Sequence, residues 1–292
     1  MRARHDPREQ MEGPPPRKPL VPGVASALSP LVRRILAPNP GFMTGPGTNT
    51  YLVGIDEVAV IDPGPADEGH LEAIVGCGGD RIRWIVCTHT HIDHAPAAAR
   101  LKKRTGAEVL AYDARDGLQV DRALADGDQI EATEFRLSSV HTPGHASNHL
   151  CFLLGEERLL FSGDHIMEGS TVVIAPPDGD MAKYLESLAR VGGLRLRAIA
   201  PGHGHLIDDP VAVVDEYIEH RLERERQVID ELAGRGGATI DELVSSIYTD
   251  LAPPLRPWAA KTVHAHLRKL AADGRVKGGD VDSGKGTWLP VP

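Results

Sequence analysis

The sequence predicts a mixed α/β domain followed by a small winged-helix unit. Three observations predict it. From Asn49 to about Pro201, short apolar runs alternate with Gly, Pro and Asp, the punctuation of many strands with intervening helices. Histidine-rich polar clusters follow the ends of those runs. Beyond Asp209 the texture changes to charged amphipathic helices and a short terminal hairpin.

Residues 1–23, MRARHDPREQMEGPPPRKPLVPG, have no apolar centre of a secretory signal and read as a flexible, Pro-rich arm. T-Y-L-V-G (50–54) and E-V-A-V-I-D (57–62) form a predicted hairpin closed by residues 54–56. R-I-R-W-I-V-C-T (81–88) is a buried strand, and residues 95–106 a helix ending at Gly106, with Pro96 suited to its first turn. Further strands are expected at 108–112, 135–140, 149–154, 158–163 and 197–201, with a helix over 181–191. The first domain is placed at 24–227. Residues 210–232 form a long amphipathic helix with proline at its start. Ile240, Leu243, Val244 and Ile247 share one helical face, and Val263, Leu267 and Leu270 another. With the hairpin around R-V-K-G-G and G-T-W-L-P, these make a winged-helix-like domain over 228–292.

The 292 residues carry 32 Lys and Arg against 41 Asp and Glu, a net charge of −9. That balance argues against a surface generally coated by nucleic acid. Cys77, Cys87 and Cys151 form no C-x-x-C pair, so neither a disulfide framework nor a thiolate metal site is indicated. They suit small buried hydrophobes in a reducing compartment. No run approaches the ~20 apolar residues of a membrane span. The expectation is a soluble cytoplasmic protein without membrane contact.

The chemistry is concentrated in T-H-T-H-I-D-H (88–94), directly after the buried strand. Three imidazoles and a carboxylate are poor core material unless they hold something. On a tight loop, His89 and His91 point one way and Asp93 and His94 another. Further candidates stand beside glycines at strand ends: His145 in H-T-P-G-H, Asp164 in F-S-G-D-H and His203 in P-G-H-G-H. These seven fit two divalent metal ions. His89, His91 and His145 would hold one, Asp93, His94 and His203 the other, with Asp164 between them. Zinc is the first expectation, and manganese and iron accept the same N/O donors. His5, His70, His220 and His264 read as bystanders of such a site.

H-T-H-I-D-H with His145, Asp164 and His203 resembles the metallo-β-lactamase superfamily, and G-T-N-T-Y-L-V-G (47–54) resembles its N-terminal strand region. The likeness spans about residues 30–225. P-G-H-G-H-L-I, Y-I-E-H-R-x-x-R-E and the winged-helix tail add a resemblance to the β-lactamase-like protein 2 branch, relatives of glyoxalase II. The resemblance implies a four-layer αββα sandwich with the metals at one edge between the sheets. Ala95-Pro96 departs from the small residue and glycine that usually follow D-H.

The expected reaction is hydrolysis by a metal-bridging hydroxide, with Asp93 orienting it. His165 is expected to orient a ligand. Asn148 and His149, just past His145, are candidates to face the cleft, with a turn-capping role as the alternative for Asn148. His220 and Arg221 read as a solvated charged face, while the resemblance makes them anion contacts for substrate. A small-molecule thioester or ester is the first substrate class. The alternative is single-stranded RNA, for which the tail should present a positive face; its basic residues are balanced by acids. A non-enzymatic winged-helix metal sensor is a third reading. The tail is expected to cover the site entrance or form a homodimer contact.

Overall fold

The computed structural model describes residues 19–291, so the expected flexible arm lies outside the described residues up to residue 18. A first sheet of seven strands runs in chain order: β1 (Ser26–Ala27), β2 (Val32–Leu36), β3 (Asn49–Val53), β4 (Val58–Ile61), β5 (Ile82–Val86), β6 (Glu108–Ala111) and β7 (Arg122–Ala123). It is antiparallel up to β4 and parallel from β4 to β7. The second sheet contains β8 (Gln129–Glu131), β9 (Arg136–His141), β10 (Leu150–Leu154), β11 (Leu159–Gly163) and β12 (Ala198–Pro201), with β12 pairing parallel to β11 at one edge. Helices α1 (Glu68–Gly78) and α2 (Ala98–Thr105) belong with the first sheet, α3 (Met181–Gly192) and α4 (Pro210–Arg235) with the second.

The two-residue strand period explains the layering. Tyr51 and Val53, Ala59 and Ile61, Phe152 and Leu154, and Phe161 all enter one cluster between the sheets. Their neighbours Leu52, Val58 and Val60 enter a second cluster beneath α1 and α2. Cys151, Leu160 and Ile199 enter a third beneath α3 and α4. Strands buried on both faces read as continuous apolar runs instead of alternating ones. The result is an αββα sandwich.

β2 and α1 extend the elements expected from sequence. Asp67 caps α1 through the His70 amide at 2.8 Å, but Gly69, Gly76 and Gly78 dilute its apolar period. α2 begins at Ala98, three residues later than expected, because residues 92–97 turn to hold the histidine loop.

The tail is built on α5 (Ile240–Ile247), α6 (Arg256–Ala272), β13 (Val276–Gly278) and β14 (Trp288–Pro290). Thr239 and Glu242 form a capping box at the start of α5. Val228 and Leu232 of α4 join Leu243, Val263, Leu267 and Trp288 in the tail's own core, so α4 serves both cores. Ala265 of α6 joins the cluster of α3 and α4. The tail therefore docks on the outer helical layer, where α6 is buried on two sides. No helix among the described residues is long and apolar enough to cross a membrane.

His70 is buried, and its Nε2 pairs with the Thr50 hydroxyl at 2.8 Å. Burial pushes its pKa down to about 4, against the pull of Asp67. With the folded value below the unfolded 6.5, this group's stability is complete above pH 6.5 and is lost as pH falls toward about 4. His70→Gln keeps a donor for Thr50 without the titration. Relative to the parent, it is expected to lose about 2–3 kcal/mol less stability between pH 7 and 4.5, measured by urea unfolding. Parallel pH profiles would remove His70 from the acid response.

Candidate metal centre

Seven side chains predicted from four separate motifs meet between the ends of the two sheets. The loop after β5 supplies His89, His91, Asp93 and His94; the turn after β9 supplies His145; Asp164 follows β11, and His203 follows β12. They fall into two groups, His89 with His91 and His145, and Asp93 with His94, Asp164 and His203.

In the first group, His91 Nδ1 lies 2.9 Å from His89 Nε2 and 3.0 Å from His145 Nε2. His145 Nδ1 donates to the Val173 carbonyl at 2.8 Å, which leaves its Nε2 lone pair facing inward. Thr88 Oγ1 donates to Asp62 at 2.8 Å and so accepts from His89 Nδ1 at 3.0 Å, fixing the same tautomer there. Burial pushes all three pKa values down, that of His145 to about 4. Three neutral rings thus converge, with more lone pairs than protons to share.

The second group has the opposite electrostatics. His94 Nε2 and His203 Nε2 each lie 3.3 Å from Asp164 Oδ1, and 3.4 and 3.2 Å from Asp93 Oδ2. Burial opposes charge on His94, but Asp93, Asp164 and Asp62 outweigh it and hold its pKa well above the usual range. Burial opposes charge on His203 too, yet Asp164 and Asp93 raise its pKa to about 9. For both carboxylates burial again opposes charge, and the positive neighbours, His94 and His203, overcome it and hold them well below their usual range. Yet the buried atoms His94 Nε2, His203 Nε2 and Asp164 Oδ1 make no hydrogen bond. A divalent cation would satisfy these orphaned donor atoms and supply the charge they favour. The residues fit a metal.

Asp164 connects the groups. Its Oδ1 faces His94 and His203, and its Oδ2 lies 3.8 Å from His145 Nε2. The glycines beside the motifs have a steric reason. A Cβ on Gly202 would stand 2.7 Å from Asp164 Oδ1 and 2.8 Å from His94 Cε1. Gly163 has a φ of +47°, and a Cβ there would lie 2.6 Å from Thr88 Oγ1.

Sequence reasoning missed Asp62. Its Oδ1 accepts the Thr88 amide at 2.7 Å, and its Oδ2 accepts Thr88 Oγ1 and His94 Nδ1, each at 2.8 Å. It thereby aims His94 Nε2 at Asp164. A carboxylate ending the strand beside the histidine strand was the available signal.

Other expectations are corrected. His149 is buried away from the cleft, and its Nε2 accepts the Asp164 amide at 3.2 Å. His165 orients no ligand, since its ring packs against His149 and Tyr184 and neither nitrogen has a hydrogen-bond partner. Asn148, 2% exposed, donates to Thr90 Oγ1 at 3.1 Å and Asp113 Oδ1 at 3.3 Å, cross-linking loops where a substrate contact was expected. Arg221, expected on a solvated face or at substrate, is buried over the Tyr184 ring and donates to the Val172 carbonyl. Its neighbour His220 is half-buried on α4, and burial, with Arg221 and Arg224, lowers its pKa to about 4. Neither forms an open anion site in this arrangement.

The metallo-β-lactamase superfamily model matches residues 43–203, and the β-lactamase associated winged helix domain matches residues 239–288. A β-lactamase-like protein 2 homolog of Caenorhabditis elegans is 35% identical over 262 residues, covering 86% of this chain and 87% of that protein. An atrochrysone carboxyl ACP thioesterase of Aspergillus chevalieri is 34% identical, with coverages of 92% and 89%. A solved metallo-β-lactamase family protein from Thermus thermophilus shares the fold at a TM-score of 0.76 and 24% identity, over 91% of this chain and all 100% of that one. Fold, paired histidine and aspartate groups, and tail agree: the chain belongs to the metallo-β-lactamase superfamily.

Proposed function

We propose that the protein is a dinuclear metal-dependent hydrolase of thioesters, with zinc as the native metal. The observation that carries the reading is Asp164, whose two oxygens face two separate sets of nitrogen donors. When bound, two divalent cations supply a hydroxide at neutral pH and polarise the carbonyl under attack. Asp93 has the more exposed of the two carboxylates and lies beside His203 and His94. It orients the attacking hydroxide, whose proton has passed to solvent. The water oxygen joins the acyl carbon, the carbon–sulfur bond breaks, and the departing thiolate takes up a proton. The outer nitrogens of His94, His145 and His203 are anchored on Asp62, Val173 and Gly47, so these rings hold position through the reaction.

The similarity to a thioesterase at 34% identity supports a thioester over other acyl substrates. The burial of α6 against the body weighs against RNA held on the tail. The test is metal-quantified protein with glutathione and coenzyme A thioesters beside a fluorescent single-stranded RNA. The expected result is thioester turnover that chelation abolishes and zinc restores, with RNA intact. RNA cleavage with intact thioesters would overturn the assignment.

A further inference from the structure

A cavity of about 220 Å³ opens beside His203, roughly fifteen to twenty times the ~10–15 Å³ needed for a single water. One wall is the loop between β2 and β3, with Phe42, Met43 and Pro46; the facing wall includes Met167, three residues beyond Asp164. Phe42 is 80% exposed and Met43 42%, on a loop that its own hydrogen bonds hold in shape. Asn39 Oδ1 accepts the Thr48 amide at 2.9 Å, Thr44 Oγ1 donates to the Asn39 carbonyl at 2.6 Å, and the Gly41 amide donates to Gly45 at 3.1 Å.

One wall is tied to the candidate metal centre and the other to α4. The Gly47 carbonyl accepts His203 Nδ1 at 3.1 Å, and Thr48 bridges the His203 backbone. On the other side, the Met167 amide donates to Tyr217 Oη at 2.9 Å. The backbone that carries these apolar side chains is thus braced by hydrogen bonds. An exposed aromatic and thioether pair on a braced loop beside a candidate metal centre marks a binding surface.

We propose that this cavity is the acyl subsite, selecting thioesters whose acyl group is a medium-length aliphatic chain or an aromatic ring. The proposal rests on the thioesterase reading and deepens it. The wall chemistry sets the class. Among the described residues its lining includes no lysine or arginine, while Leu20, Phe42, Met43, Pro46 and Met167 give it an apolar character, so an uncharged apolar group is favoured there. The thioether side chains adapt to chain or ring. The acyl carbon then comes to rest by His203 and Asp93, where the carbon–sulfur bond is cut.

The experiment measures kcat/KM for acetyl, butyryl, hexanoyl, octanoyl and benzoyl thioesters of coenzyme A, with calorimetric binding of octanoate and acetate alongside. Metal-quantified full-length protein is compared with Phe42→Ala and Met167→Trp. The parent is expected to gain roughly threefold per added methylene until the cavity is full. Each variant is expected to cut the octanoyl-to-acetyl ratio at least tenfold. Phe42 is mostly exposed, so its truncation leaves the core intact if the Met167 variant does not fold. Thioester turnover independent of acyl group would overturn the subsite while the thioesterase reading stands. If no thioester is cleaved, that reading fails, and octanoate binding decides the subsite. Tighter binding than acetate, weakened by either variant, upholds it; equal binding overturns it. RNA cleavage slowed by Phe42→Ala would assign the loop to a base and overturn it as well.

Discussion

Asp164→Asn is expected to lower kcat/KM for thioester hydrolysis by about 10³-fold, on the scale of losing a preorganised charge in a catalytic site. The substitution preserves shape, so the effect comes from charge. Asp164 Oδ1 is 3.3 Å from both His94 Nε2 and His203 Nε2, while Oδ2 looks toward His145. An amide offers one oxygen and an NH₂ group, and the NH₂ cannot ligate a cation. Elemental analysis should find fewer than two metal ions per chain, with the circular dichroism spectrum unchanged. A second readout needs no turnover. In chelated protein, NMR titration should show His203 falling from about 9 toward 6.5, because the Asp164 charge is the largest influence raising it. Full metal content and parental rates in the variant would exclude the bridging role.

Asp62→Asn is expected to weaken metal binding by about 10–100-fold, as loss of a carboxylate behind a histidine ligand does. Asp62 is buried with a φ of +50°, a backbone region that asparagine tolerates better than most residues. Three donors converge on it: the Thr88 amide, Thr88 Oγ1 and His94 Nδ1. An amide accepts on one side only and places its NH₂ against a donor on the other. His94 then loses its anchor or its tautomer. Asp62→Ala is expected to be worse, since each buried donor left unpaired costs about 1–3 kcal/mol. Competition with a chromophoric chelator measures the affinity, and thermal melting separates it from stability. Unchanged zinc affinity in a folded Asp62→Asn protein would show that His94 needs no carboxylate behind it.

Much of this centre was legible before any coordinates. H-T-H-I-D-H, P-G-H, S-G-D and P-G-H place ionisable groups directly after apolar runs, where a strand ends and a loop can aim side chains into one space. Local chemistry also announced the proline start of α4 and the terminal hairpin. These signals lie within a few residues of one another, which is the range over which a chain alone is informative.

What the sequence by itself determined is therefore the inventory: strands buried on both faces, seven donors at their ends, and a helical tail. The tertiary structure decided which atoms face which. Asp62 and His94 are 32 residues apart, and only the parallel pairing of β4 with β5 brings that carboxylate beneath the histidine loop. Arg221 sits in a sequence rich in charges of both signs, yet α3 and the loop at Val172 close over it. Asn148 stands three residues after His145, yet Thr90 and Asp113 occupy its amide. Phe42 and Met43 stand in a Gly- and Pro-rich loop that looks like a connector until the Gly47 carbonyl fastens it to His203. The physical reason is common to all four. Burial and hydrogen-bond partnership are properties of pairs brought together by chain reversal, and the residue types alone fix neither.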